Sequence, residues 1–248
     1  MKLRRSVLPV FMMLLLLQSC VYDNEKELFP RIVIPDSAFK GQLAWYTFDS
    51  TLADQLGQQD PLRVWGDLQF GMGYAGDPNG AIVLDGRKSY LGGFLPLSDT
   101  LAVSFWMMPM PNFNRAVLLD YGMGQFTVGI DAVTSATWPL YKIYYEQDTA
   151  IHRWNQEVDY FFWHHLYVEI GDTLNPPRVY LDGHPVEPTD KPWTMHPLVD
   201  LLYVGRHHNA DMKDSMMFRG FIDDLRIFNQ FLTEEEIQNI YWGGGPVR

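Results

Sequence analysis

Apolar residues along this chain come in short runs, many of them alternating, and Gly, Pro, Asp and Asn punctuate the gaps. Leu43–Phe48, Ala81–Leu84, Leu101–Met108, Val117–Tyr121, Phe126–Ile130 and Leu140–Tyr145 each read as a strand. So do Trp163–Ile170, Arg178–Leu181, His184–Val186, Leu201–Gly205 and Phe221–Phe228. Ile32-Val33-Ile34, bracketed by Pro30 and Pro35, fits a short edge strand, because proline is tolerated at strand borders. Asp85-Gly86 and Asp182-Gly183 are tight-turn pairs, and the second joins two strand patterns into a hairpin of type I′. About a dozen short strands with so little helix between them predict a two-sheet sandwich.

One helix signal stands out, and it comes late. Thr233 followed by Glu236 forms a capping box, in which hydroxyl and carboxylate satisfy free amides at the helix start. Ile237, Ile240 and Tyr241 then share a face, and Gly243-Gly244-Gly245-Pro246 ends the helix.

The first residues follow a different rule. Lys2, Arg4 and Arg5 precede an apolar stretch from Val7 to Leu17, too short for a mature membrane span of ~20 residues but suited to a secretory signal. Leu17-Gln18-Ser19-Cys20 resembles the bacterial lipobox, in which cleavage leaves a lipid-modified cysteine at the new N-terminus. The chain then divides into a lipoprotein signal peptide (1–19), a lipid-anchored linker (20–41), one domain (42–242) and a C-terminal tail (243–248). Cys20 is the only cysteine, so the domain has no internal disulfide to rely on, and 47% hydrophobic residues with 15% aromatics must supply the core. These readings place the protein on the bacterial outer membrane or cell surface.

Charge narrows the partners. The chain has 19 Lys+Arg against 30 Asp+Glu, and signal cleavage takes three of the basic residues and none of the acidic ones. A phosphate backbone is repelled by such a surface, so nucleic acid is excluded as a partner. Contact with the membrane is expected through the lipid rather than the protein surface.

Several blocks, in order, resemble the laminin-G-like jelly roll of the concanavalin-A-like superfamily. They are Trp45-Tyr46-Thr47-Phe48-Asp49, Asp54-Gln55-Leu56-Gly57, Gly80–Gly86, Leu101–Trp106, Trp163–Leu166 and Val179–Gly183. The most specific is Gly220-Phe221-Ile222-Asp223-Asp224-Leu225-Arg226-Ile227-Phe228-Asn229, followed by Leu232–Ile237. The resemblance implies an all-β sandwich of two antiparallel sheets with a short C-terminal helix. It implies no single activity, because such folds host many functions.

It does imply a candidate calcium site. Members often hold a structural Ca2+ between the loop after the first strand and the last strand, and the matching positions are Asp49 or Asp54 with Asp223. Leu56 departs from the serine found there in many relatives. The alternative is that Asp49 and Asp54 cap turns, while Asp223 or Asp224 pairs with Arg226 or a backbone amide.

Catalytic signatures are missing. Glycosidases on such sandwiches carry paired carboxylates along one strand, in the pattern Glu-x-Asp-x-x-Glu, and no such run occurs. Neither His-Glu-x-x-His nor Gly-x-Ser-x-Gly is present. The chain therefore reads as a non-catalytic binding lipoprotein of the envelope or cell surface, with glycan as the leading ligand. The alternatives are a protein-docking or adhesion module and, behind it, a glycoside hydrolase with an unrecognised site.

Sugar recognition needs an aromatic face and convergent polar groups. Trp65, Tyr74, Trp138, Trp154 and Trp193 stand in segments that read as loops, and Trp138 and Trp193, beside prolines, are the expected contacts, with His207 and Asn209 as polar partners. Trp45, Trp106 and Trp163 are expected in the core. His207-His208, near Asp211 and Asp214, hint at a zinc set, but adjacent residues tend to point apart, so a surface loop is the expectation.

Overall fold

The computed structural model describes residues 39–111, 115–132, 140–147, 150–171, 178–186, 199–209 and 216–243. The strands in chain order are β1 (Gln42–Tyr46), β2 (Arg63–Trp65), β3 (Gln69–Gly71), β4 (Ala81–Asp85), β5 (Tyr90–Phe94), β6 (Leu101–Pro109), β7 (Ala116–Tyr121) and β8 (Phe126–Ala132). They continue with β9 (Leu140–Gln147), β10 (Ala150–Asp159), β11 (His164–Ile170), β12 (Arg178–Leu181), β13 (His184–Pro185), β14 (Leu201–Val204) and β15 (Arg219–Phe228). Helix α1 (Glu234–Tyr241) follows.

The first sheet runs β13-β12-β11-β6-β15-β4-β3, with β1 also paired to β15. The second runs β10-β9-β8-β7-β14-β5-β2. Every pairing between these strands is antiparallel. The core lies between the sheets. Ile82, Val103, Phe105, Leu166, Ile222, Leu225 and Ile227 from the first meet Leu91, Leu119, Tyr121, Phe126, Val128, Ile130 and Val204 from the second. Alternation places their neighbours on the two outer faces.

Those faces differ. On the first sheet, Phe39, Ala102, Tyr167, Tyr180 and Phe228 form a second apolar cluster that Ile237 and Ile240 of α1 cover. The capping box at Thr233 and Glu236 is present as expected. The tryptophans assigned to the core lie on this side instead. Trp106 stacks between Tyr74 (4.4 Å) and Tyr241 (5.6 Å), and Trp163 packs edge-on against Phe221. The Trp45 indole N–H donates to Asp224. Trp154 of β10 is the indole that does enter the main core among the described residues.

Strand β15 is shared along one edge. Residues 219–222 pair with β4 and residues 225–228 pair with β1, and the changeover falls at Asp223-Asp224. Asp224 takes a left-handed φ of 47°, and the register against β6 shifts between Asp223 and Arg226. This bulge leaves two carboxylates where neither strand competes for them. The Asp182-Gly183 hairpin has φ of 51° and 74°, as a type I′ turn requires.

Candidate functional site

The outer face of the second sheet is built by register. Glu146 of β9 stands opposite Thr127 of β8, and Thr127 opposite Asp120 of β7. Asp120 faces Tyr203 of β14, Tyr203 faces Gly92 of β5, and Gly92 faces Arg63 of β2. Directly opposed residues share a face, so one row of polar and aromatic groups crosses six strands.

At one end the row becomes an aromatic platform. Trp65 and Tyr90 stack at 5.0 Å with a 3° interplanar angle. Tyr203 meets Tyr90 edge-on, and the Arg206 guanidinium lies 4.4 Å over the Tyr90 ring. Gly92 permits this arrangement, since a Cβ there would come within 3.0 Å of the Trp65 ring and 3.3 Å of Tyr203. Trp65 keeps 39% of its surface exposed, which leaves it available to a ligand.

At the centre of the row Asp120 is fully buried. Its Oδ1 accepts the Gly124 amide, and its Oδ2 accepts the Thr127 hydroxyl, the His208 amide and the His208 Nδ1–H at 2.8 Å. The loop after β14 starts at Gly205, whose φ is 82° and where a Cβ would collide with Leu84 at 2.4 Å. It folds back over β7, and the His207 and His208 rings approach to 4.1 Å. Both histidines turn toward Asp120, and His207 Nε2 is 3.9 Å from both Asp120 and Glu146. The expected surface loop is therefore corrected. Because the His208 backbone amide is itself held by Asp120, the chain curls and adjacent side chains converge.

The second cluster lies at the β15 bulge. A Cβ on Gly73 would sit 2.7 Å from Asp223 Oδ2 and 2.8 Å from Asp77 Oδ1, so glycine there keeps the two carboxylates close. Asp49 shares a hydrogen bond with Asp77, and burial and that neighbour raise its pKa. Burial above all, then the Asp224 and Asp77 charges, pushes Asp223 up to about 8 against the pull of amide bonds from Tyr74 and Asp224. With its pKa raised to about 8, Asp223 favours its protonated form at neutral pH unless a cation takes the proton's place. Among the described residues, the side chains whose ligand atoms all lie within 4.8 Å of one another are Asp120, His207 and His208, and Asp49, Asp77 and Asp223 do not form such a set.

Asp54 does not join them. Its Oδ1 accepts the Trp45 and Leu56 amides and its Oδ2 the Gln58 and Gln59 amides, so it organises its own loop. Asp224 is likewise committed, to Arg226 at 3.1 Å and to Trp45. Asp77 was missed by the sequence reading, because Gly76-Asp77-Pro78-Asn79-Gly80 reads only as a turn.

The other anticipated residues fall unevenly. Trp138 and Trp193 lie outside the described residues, as do Cys20, Asp211 and Asp214. Asn209 donates its amide to His207 Nδ1 at 3.1 Å. Trp154, read as a loop aromatic, is buried on β10, and Tyr74 is held in its stack on Trp106. Among the described loop candidates, Trp65 is the one with an exposed face, though it stands on a short strand. Tyr90, Tyr203 and Arg206 were missed, since their contribution depends on strand order across the sheet.

Residues 79–238 match the concanavalin A-like lectin/glucanases superfamily. The chain belongs to this superfamily. No curated protein matches it by sequence. Among solved structures it is similar to domain 4 of AbnA, a GH43 extracellular arabinanase from Geobacillus stearothermophilus, in complex with arabinotriose. That match has 20% identity over 81% of this chain and 98% of that one, with a TM-score of 0.62. It is also similar to a heptameric SAP-like pentraxin from Limulus polyphemus, at 14% identity over 61% and 75% of the two chains and a TM-score of 0.51. The binding domain of botulinum neurotoxin DC, in complex with SialylT, matches at 12% identity over 82% of this chain and 51% of that one, with a TM-score of 0.56. At these identities the likeness establishes a lectin-like sandwich and nothing finer. Among the described residues, no helix is long and apolar enough to cross a membrane.

Proposed function

We propose that this chain is a non-catalytic, glycan-binding lipoprotein whose ligand lies across the outer face of the second sheet. The observation that carries the reading is the Trp65–Tyr90–Arg206 stack beside a polar row on the sheet face that α1 does not cover. An exposed indole offers an apolar surface to the C–H side of a sugar ring, and Arg206 and Tyr203 offer groups to its hydroxyls. The resolved complex of a similar fold with arabinotriose supports a glycan as the ligand class.

A structural calcium would have to draw Asp49, Asp77 and Asp223 together, and would then brace the loops around the β15 bulge, away from the sugar. The lipid on Cys20 would hold the domain at the outer membrane or cell surface. Docking of another envelope protein has one observation in its favour, the adjacent Phe161 and Phe162, both exposed beyond β10.

The test is a glycan panel probed with the full chain in detergent, with Ca2+ and again with a chelator. Binding to one glycan class, together with a lower melting temperature in chelator, is the expected result. Folded protein that binds no glycan in either condition would overturn the glycan reading. Capture of an envelope protein lost on changing Phe161 and Phe162 to Ser would then favour docking.

A further inference from the structure

Asp120, His207, His208 and Glu146 bring four donor-bearing side chains to one spot on the second sheet's outer face, beside the aromatic platform. Asp120 Oδ2 and His208 Nδ1 are 2.8 Å apart. His207 Nε2 stands 3.9 Å from Asp120 Oδ2 and 3.9 Å from Glu146 Oε1. A tetrahedral ion with ligand bonds near 2.0–2.1 Å has donor–donor edges of about 3.3 Å. The three measured edges bracket that length, so small rotations of the side chains bring the donors into place.

A second observation points the same way. Glu146 Oε2 is buried and finds no hydrogen-bond partner among the described residues. A buried carboxylate oxygen without a donor is costly, and a cation removes that cost. The site is also already supported from behind, because the Gly124 amide and the Thr127 hydroxyl hold Asp120 in orientation.

We propose that these four residues bind a divalent transition-metal ion of the zinc type. Two imidazoles with two carboxylates suit such an ion, whereas calcium prefers a shell made entirely of oxygen. On loading, the ion takes the place of the proton between His208 Nδ1 and Asp120, and that proton moves to His208 Nε2. His207 now accepts the Asn209 amide at Nδ1, which puts its own proton on Nε2. Binding through Nε2 moves that proton to Nδ1 and releases the Asn209 amide. Both changes are tautomer shifts of neutral rings. The bound ion ties the loop carrying Arg206 to β7 and β9. The proposal stands independently of the glycan reading.

The experiment uses the full chain in detergent, stripped with a chelator and dialysed. Zn2+ is titrated in competition with a chromophoric chelator, and Co2+ is added separately to read its ligand-field spectrum. The expected result is one Zn2+ per chain with micromolar or tighter affinity, and a four-coordinate Co2+ spectrum. His207→Ala and Glu146→Gln should each weaken Zn2+ by about tenfold or more with unchanged circular dichroism. Asp49→Asn should leave Zn2+ affinity unchanged. Failure to retain Zn2+ would overturn the proposal, and so would equal affinity in the two site variants. Loss of Zn2+ binding with Asp49→Asn would do the same by moving the ion to the acidic cluster. Asp120, which is fully buried, is left intact so that folding is not confounded.

Discussion

Arg226 is 1% exposed, lies 4.6 Å over the Trp45 ring and pairs with the buried Asp224. Removing one member of such a pair strands the other charge without water. Arg226→Ala is expected to lower unfolding free energy by about 3–5 kcal/mol, read as a fall in the urea midpoint with an unchanged slope. A loss under about 1 kcal/mol would show that Asp224 finds another partner or water. His165 gives a prediction in pH. Burial, aided by Arg226 and opposed by Asp182, lowers its pKa from 6.5 to about 3. The unfolded chain binds this proton below about pH 6.5 while the folded chain does not until about pH 3, so stability falls as pH drops through that window. The slope from this group approaches ~1.4 kcal/mol per pH unit. His165→Gln should flatten the stability profile between about pH 6.5 and 5 by up to that amount, followed by chemical denaturation. At this scale the sequence was informative where a side chain's partner is local or set by a family block. Asp49 and Asp223 each have Asp77 as a neighbour, a residue the sequence did not single out. Asp54 resembles them in sequence but meets three amides of its own loop and the Trp45 amide of β1, a difference decided by backbone geometry.

Elements with strong periodicity were legible, and weakly patterned ones were not. The capping box placed the start of α1, and the β12–β13 hairpin followed from Asp182-Gly183. Strands β2, β3, β5 and β10 escaped the reading. β2 and β3 are three residues long, and β5 carries Gly92-Gly93, which reads as a turn. β10 ends the second sheet and is rich in polar residues, as an edge strand can be. Those omissions hid the aromatic platform, because it uses β2, β5 and β14. Thr233→Ala is expected to destabilise the domain by about 1 kcal/mol through loss of the cap. Paired with Glu236→Ala, the double variant should lose less than the sum of the singles, since the two side chains bond one another's backbone. Strict additivity in a double-mutant cycle would contradict the reciprocal cap.

The whole molecule is a sandwich with two unlike outer faces. On the first sheet, α1 and the indole layer close the surface around the acidic cluster, which favours bracing over recognition. On the second, aromatic and hydrogen-bonding groups lie in register across the strands, with a histidine–carboxylate set at the centre. Fold class followed from the ordered blocks, but the site did not, because a face assembled from six strands is visible only once strand order is known. The most direct measurement compares glycan affinity of the unaltered chain with Trp65→Ala, using the sugar class that binds best. Trp65 is part-exposed, so its removal should leave the melting temperature within a few degrees. The glycan-binding account predicts at least about a tenfold loss of affinity, equal to ~1.4 kcal/mol. Undiminished binding by folded Trp65→Ala would contradict the placement of the ligand on this face.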